Sequence, residues 1–303
     1  MRTFPDKPQR WQKAGKRDPG PESLLRGREP FCVAACNRFI HRSAFRDHVW
    51  VLRAEQGKIA ALLLYSKHSL FPVFNGLSDI QEGNPGRAPA GSRPRQEIPA
   101  PHFLNRLIRK MPIHAVQGLR EDALVLENIM AHLGYHPAES IDYDLMALDQ
   151  EPAADCFKAG PPGLIIRQPG SKDMAKLLPL QTAYEQEEVL PRGAAFDPSY
   201  SRATLEHIFS REHILTAELD GRIIAKVNTS AESFTRRQIG GVYVHPDYRG
   251  RDIAVRLCAE MIRSLTSSGR GISLFVKKQN IAARSVYRRI GFEILSDYRI
   301  SYY

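Results

Sequence analysis

At 303 residues, with 43% hydrophobic and 25% charged side chains, the chain has room for two domains with separate cores and the make-up of a globular protein. Its longest apolar run, "IAALLLY" at 59–65, is strand-sized and far short of the roughly 20 residues that cross a bilayer, which excludes a helical membrane protein. A net charge of +10 calls for an anionic partner, either nucleic acid or a phosphate-rich small molecule, and the sequence shows neither zinc-finger spacing nor an RNP-type aromatic signature.

The first thirty residues, "MRTFPDKPQRWQKAGKRDPGPESLLRGREP", are basic and rich in Pro and Gly, with no apolar centre. They make a poor secretory signal, and residues 1–29 are expected to form a flexible basic arm. Cys32 and Cys36 follow one helical turn apart in "FCVAACNRFI". With Cys156 and Cys258 they show no CxxC spacing, so buried thiols, no metal, and a reducing, cytoplasmic compartment are expected.

Two stretches then look like copies. "RAEQGKIAALLLY" (53–65) and "TAELDGRIIAKVN" (216–228) share Ala-Glu, a turn Gly, a basic residue, Ile and an apolar strand, and each reads as a β-hairpin. "ALVLENIMAHLGYHPAESIDYDLMAL" (123–148) and "ARSVYRRIGFEILSDYRISYY" (283–303) each give an amphipathic helix, a Gly plus an aromatic, and an alternating strand. Two tandem copies of one fold are expected, over 30–149 and 164–303, separated by a linker at 150–163; chance recurrence of Gly-ended elements is the alternative. The first copy carries a Pro/Gly-rich loop at 75–100 where the second has a strand, a basic turn and a helix, so a phosphate-bearing ligand belongs with the second.

That second stretch is "RRQIGGVYVHP" (236–246), a strand ending at Pro246, then "DYRGRD", then "IAVRLCAEMIRSLTSSG". Ile253, Leu257, Met261, Ile262 and Leu265 share one helical face, with Gly269 at the end. A turn that feeds a helix N-terminus converges free backbone N–H groups on one electropositive spot. Gly250 admits close approach, and Arg249 and Arg251 add charge. Next come the strand "ISLFVKKQN" (272–280) and the helix "NIAARSVYRRIGF", in which Asn280 caps and Asn280, Ala283 and Tyr287 share a face that a ligand can pass.

In "VYVHPDYRGRDIA" and "NIAARSVYRRIGF" the segment from about 164 to 303 resembles the GCN5-related N-acetyltransferase (GNAT) superfamily. The first is similar to its acetyl-CoA pyrophosphate loop, R/Q-x-x-G-x-G/A, and the second to its N-x-x-A-x-x-x-Y-x-x-x-G-F signature. The resemblance implies an α/β fold with a mixed sheet, here two tandem GNAT-like domains with the first degenerate, and acetyl-CoA as cosubstrate wedged between two splayed central strands. It implies that the strand Val242, Tyr243, Val244 holds the pantetheine arm through the backbone of Val242 and Val244. It further implies that amides across Arg249, Gly250, Arg251, Asp252, Ile253 and Ala254 hold the pyrophosphate, that Asn280 and Ala283 border the cofactor, and that Tyr287 lies near its sulfur. "QIGGVYV" and "AYEQEEVLP" are similar to a GNAT subgroup whose N-terminal domain has no assigned activity.

Asp252 stands where the family has glycine. A carboxylate in the first turn of a helix is favourable by roughly 0.3–1 kcal/mol, but beside a phosphate it costs on the order of 2–3 kcal/mol. Arg249 and Arg251 offset part of this. If its φ is negative, Asp252 supplies its N–H as Gly would, and its side chain turns outward, so weakened rather than abolished binding is expected.

The family reaction is attack of an amine on the thioester with coenzyme A leaving as thiolate. Tyr287, a phenol with an ordinary pKa of about 10, protonates the leaving sulfur. Many relatives place a base where this chain has Gln238, which cannot serve. Glu188 in "YEQEEVL" and Glu232 after the hairpin remain, with solvated surface carboxylates the alternative for both. Glu185, Glu187 and Glu188 either meet a cationic acceptor, a small molecule or a protein lysine, or form a wet helix face. Two other functions compete with the enzyme: an acetyl-CoA-binding regulatory or scaffold protein, and an RNA-binding protein that uses the basic arm.

Overall fold

The computed structural model describes residues 10–15, 17–43, 46–53, 57–75, 101–193, 195–266 and 269–303. In chain order the elements are β1 (Trp11–Lys13), α1 (Gly20–Gly27), α2 (Val33–Ile40), β2 (His48–Arg53), β3 (Ile59–Ser66), β4 (Ser69–Phe74), α3 (Pro101–Lys110), β5 (Ala115–Leu119), α4 (Arg120–His132) and β6 (Glu139–Leu148). There follow β7 (Ile165–Arg167), α5 (Met174–Tyr184), a π-helical turn (Glu185–Val189), α6 (Pro198–Arg211), β8 (Ile214–Leu219), β9 (Arg222–Glu232) and β10 (Arg236–Val244). The chain ends with α7 (Ile253–Thr266), β11 (Gly271–Lys277), α8 (Ile281–Ile290) and β12 (Glu293–Tyr302). The run β2-β3-β4-α3-β5-α4-β6 recurs as β8-β9-β10-α7-β11-α8-β12, as the paired sequence stretches predict. In the second copy Asp220 and Gly221 take φ of 49° and 74°, the primed turn that matches the twist of a hairpin.

The chain forms two compact units, and the boundary is not a cut between halves: the first holds Met1–Arg28, Arg38–Asp142 and Asp297–Tyr303, the second Glu29–Asn37 and Tyr143–Ser296. In the first unit β1, β2, β3, β4 and β5 run in that order, and β5 pairs antiparallel with residues 298–302 of β12, Tyr298 opposite Leu119. In the second, residues 143–148 of β6 pair antiparallel with β11, followed by β10, β9, β8 and β7. Each unit's sheet is thus completed by the strand that follows the other copy's last helix.

Charge keys each exchanged strand to its place. Arg299 on β12 is gripped by Glu127 (2.8 Å) and Asp142 (2.7 Å) in the first unit. Asp144 on β6, its side chain 2% exposed, takes Lys278 (3.1 Å) and Arg284 (2.7 Å) in the second. A strand placed in the wrong sheet leaves such a charge buried without its partner, which costs about 3–5 kcal/mol.

Residues 10–29 correct the expectation of a flexible arm. Trp11 lies opposite Leu52 and stacks on Phe103 at 5.8 Å, Asp18 binds the Arg53 guanidinium, and Leu25 is fully buried. One indole and a leucine supply apolar area that the basic composition hides; residues 1–9 lie outside the described residues, as do residues 76–100 of the Pro/Gly-rich loop. The stretch 150–163 is likewise no loose linker. Cys156 is fully buried in the core of the second unit with Ala159 and Leu164, and Arg263 lies 5.0 Å over the Phe157 ring. The four cysteines are free and buried, with Cys32 and Cys36 sulfurs 3.7 Å apart. No described helix is long and apolar enough to cross a membrane.

In the first unit β4 and β5 run parallel and pair only at Ser69 with Ala115 and Leu70 with Val116. What lies beyond that pairing is filled by the protein itself. Pro72, which has no N–H, sits over Gly118, where a Cβ would come 3.2 Å from the Pro72 carbonyl oxygen. The Phe74 N–H donates to Asp122 Oδ2 at 3.3 Å. Asp122 is 1% exposed, and burial pushes its carboxyl up to about 7, against the opposing pull of the Phe74 N–H and the Arg28 charge, with Glu121 adding to the rise.

The unfolded chain releases this proton near pH 4, whereas the fold keeps it to about 7. The stability it carries is therefore complete below pH 4 and lost as pH climbs to about 7. Thermal unfolding of Asp122→Asn between pH 4 and 8 is expected to show a smaller loss than the parent, by on the order of 1–3 kcal/mol; parallel curves for the two proteins would contradict this.

Candidate functional site

In the second unit β10 and β11 also run parallel, paired at Arg236 with Gly271, Arg237 with Ile272 and Gln238 with Ser273, and no further. Both strands continue, β10 to Val244 and β11 to Lys277, so they diverge. On its other edge β10 shifts register against β9 between Gly240, opposite Asn228, and Tyr243, opposite Lys226. Gly241 and Val242 fall in this bulge and pair with neither neighbour. Gly241 takes φ of 59°, and a Cβ on it would lie 1.9 Å from Asn228 Oδ1 and 2.8 Å from Lys226 Nζ, so no other residue fits.

Past the strand, Pro246–Tyr248 form a single 3₁₀ turn and the chain enters α7. The N–H groups of Gly250, Arg251, Asp252, Ile253 and Ala254 find no acceptor among the described residues. They are the unspent donors of a helix start. The Arg249 N–H is an exception to the expected set: it donates to the Pro246 carbonyl at 3.2 Å. Nor are the arginine side chains idle. Arg249 donates to the Val244 carbonyl (3.0 Å) and to Glu187 (2.8 Å), and Arg251 to the Asp247 carbonyl (3.2 Å).

Asp252 corrects the expected backbone. Its φ is +56°, the left-handed region, which explains why glycine is the usual residue of such a loop. Asp tolerates this conformation better than most residues. Its side chain is turned outward, half exposed, and its carboxylate pairs with Arg289 at 2.7 Å, which the sequence did not suggest.

Across the gap, Asn280 caps α8 by accepting the Ala283 N–H at 3.0 Å. Asn280 and Ala283 are half-buried and Tyr287 is buried, so the three form the expected stripe. The Tyr287 ring packs edge-on against Phe292 at 5.9 Å, and burial raises its phenol well above the ordinary value, helped by Cys258, Tyr184 and Glu188. The phenol therefore stays protonated at neutral pH.

Between the two banks stands the π-turn. Pro179 sits inside α5, and at its end Leu190 donates five residues back to the Glu185 carbonyl at 2.8 Å. The wider turn sends neighbouring carboxylates in different directions. Glu187 takes the Tyr243 hydroxyl (2.5 Å) and Arg249 on the β10 bank; Glu188 takes Asn280 Nδ2 (3.0 Å) and Lys277 Nζ (3.5 Å) on the β11 bank. Glu185 is buried and accepts from Gln181 (2.7 Å) and Ser201. These acids are neither a wet helix face nor a free anionic patch. Glu232 is not brought to the site: it pairs with Arg270 (2.5 Å) and Arg237 (3.5 Å), at the end of β10 where β11 is still bonded. Gln238 is buried and donates to Ser230 at 3.1 Å.

Sequence reasoning missed Lys226. It is fully buried, its Nζ donates to Asn228 Oδ1 (3.0 Å) and the Gly241 carbonyl (2.9 Å), and it lies 4.9 Å from the Tyr184 ring centre. Burial lowers its amine to about 7, with Glu185 pulling the other way. The available signal was a lysine inside "IIAKVN", a run too apolar to own a solvent face.

Residues 180–292 match the model of the Acetyltransferase (GNAT) family. No curated protein matches. The chain is similar in structure to a GCN5-related N-acetyltransferase from Sphaerobacter thermophilus, with TM-score 0.58 and 19% identity over 99% of this chain and 96% of that one. It is also similar to a tandem GNAT protein from the clavulanic acid biosynthesis pathway, solved without AcCoA, with TM-score 0.57 and 15% identity over 96% and 97%. At such identities these likenesses establish the fold, a tandem one spanning nearly the whole chain.

The left-handed Asp252 can be checked directly. Asp252→Gly and Asp252→Ala both remove the Arg289 pair, so they differ chiefly in backbone strain. The glycine variant is expected to be the more stable by about 1 kcal/mol in denaturant unfolding; equal stabilities would mean that residue 252 is not left-handed.

Proposed function

We propose that this chain, whose residues 180–292 are a domain of the acetyltransferase (GNAT) family, transfers an acetyl group from acetyl-CoA to a primary amine on a small molecule or protein. Membership of that family supports acyl transfer in general. The observation that carries the finer reading is the gap between β10 and β11, with five unspent N–H groups, Gly250 to Ala254, at its mouth. A diphosphate fits them: they are backbone donors at a helix start, and nothing lies within 4 Å of where a Cβ on Gly250 would stand.

In this reading the Gly250–Ala254 amides hold the diphosphate, and the backbone of Val242 and Val244 aligns the pantetheine arm. Asn280 and Ala283 border it. Acetyl-CoA supplies the activated acyl group. The acceptor nitrogen forms the new bond to the acyl carbon as the carbon–sulfur bond breaks. Glu188, facing the gap from the π-turn, takes the proton from the incoming ammonium; Tyr287 gives one to the departing sulfur, and the second proton shed by the acylated nitrogen restores the phenol. Glu188 is preferred to Glu232 because its carboxylate already reaches Asn280.

A second reading, a regulatory protein that binds acetyl-CoA without turnover, draws on Asp252, whose carboxylate stands in the anion loop. Release of free thiol from acetyl-CoA in the presence of an amine library separates the two. The enzyme releases thiol; the binder gains thermal stability from acetyl-CoA and releases none.

Tyr287→Phe is expected to lower kcat by on the order of 10²-fold while calorimetry gives an unchanged Kd for acetyl-CoA. Unaltered turnover would remove its assigned role. Asp252→Gly should tighten acetyl-CoA severalfold, since a like charge leaves the loop; a large loss of affinity would mean that the ligand lies elsewhere.

A further inference from the structure

A peptide chain that binds through its backbone is tuned by what holds the other side of each peptide. The Gly241–Val242 peptide is trans, as is every described peptide bond, so the Gly241 C=O and the Val242 N–H point in opposite directions. β9 lies on one edge of β10 and β11 on the other. Lys226 on β9 donates to the Gly241 carbonyl at 2.9 Å. The Val242 N–H therefore points away from the Lys226 amine, at a place where β10 has no ladder partner.

Resting on the acetyl-transfer reading, we infer that Lys226 is a positioning residue that polarises the Gly241–Val242 peptide from behind, so that the Val242 N–H is the donor to the thioester oxygen as negative charge develops on it. The bond to the carbonyl fixes the direction of the N–H, and positive charge on Nζ draws electron density through the amide and strengthens the donor. Such a donor, preorganised away from water, is a large contributor to acyl transfer.

The surroundings fit this role better than a purely structural one. A fold that needs only stability fills a fully buried site with an apolar side chain, and breaking a buried polar network is expensive. Here residues of β8, β9, β10, α5 and the π-turn surround one amine. Thr216 of β8 and Tyr243 of β10 stand opposite Lys226, and Asn228 of β9 accepts from it. Tyr184 of α5 presents its ring face, and Glu185 of the π-turn, held by Ser201 of α6, is the opposite charge that acts on it. Gly241 is the only residue type that leaves room for the contact. With an amine lowered to about 7, Lys226 gains and loses its charge near neutrality, so its influence can be followed in the unaltered protein.

Two measurements test this. In the ligand-free protein, labelled on lysine and valine, the Val242 amide proton is expected to shift with the same midpoint as the Lys226 side chain in an NMR pH titration. A Val242 signal that ignores that titration overturns the inference. In the complex with acetyl-CoA labelled with ¹³C at the carbonyl, the infrared stretch should lie lower in the parent than in Lys226→Met, with kcat down about tenfold or more and the acetyl-CoA Kd changed less than threefold. Lys226→Gln, which keeps an N–H donor without charge, should fall between them. Equal stretches, or a loss confined to Kd, contradict the role. Failure of the parent to bind acetyl-CoA would instead sink the acetyl-transfer reading, and the ligand-free titration would still decide whether Lys226 is coupled to Val242.

Discussion

The site depends on one constraint: main-chain donors and acceptors inside a sheet must find partners, and on its β11 edge β10 runs out of them after Gln238. On one edge β11 turns away; on the other, a bulge takes Gly241 and Val242 out of register. The same shortage is repeated at the start of α7, where five amides go unspent. In the proposed reading, so much unpaired backbone in one gap is a receptor for something extended, polar and anionic at one end. Side chains need only border it, which is why most of the binding surface carries no distinctive residue.

In the first unit the pairing of β4 with β5 also stops early, with a different outcome. Pro72 removes one donor and covers Gly118, and Asp122 takes the Phe74 amide. Where the second unit keeps its gap open, the first satisfies it internally, at the cost of burying a carboxyl. The two copies therefore share the plan of the fold and differ at this gap. The copies exchange their last strands, and each exchanged strand carries a charge, Arg299 or Asp144, paired within the unit that receives it.

On the side of the sheet facing α5 and α6 the polar groups are connected rather than scattered. Glu185, Glu187 and Glu188 leave one π-turn for three destinations: the interior, the β10 bank and the β11 bank. Lys226, bonded to the Gly241 carbonyl, feels the charge of Glu185, while Tyr243, beside it on β10, donates to Glu187.

The sequence by itself determined the repeat, the hairpins, the helix faces and the stripe of Asn280, Ala283 and Tyr287, because each rests on local periodicity and turn chemistry. It also located the turn before α7 with its unspent amides, whose signal is contiguous. Only the tertiary structure decided that residues 10–29 and 150–163 pack, since Trp11 and Cys156 find their apolar partners far along the chain. It alone separated Glu188 from Glu232, two acids of equal standing in one dimension, and gave Asp252 its left-handed backbone and its partner Arg289. Lys226 was invisible for the same reason: a lysine becomes unusual when strands and helices close over it, and that closure is a property of the assembled sheet.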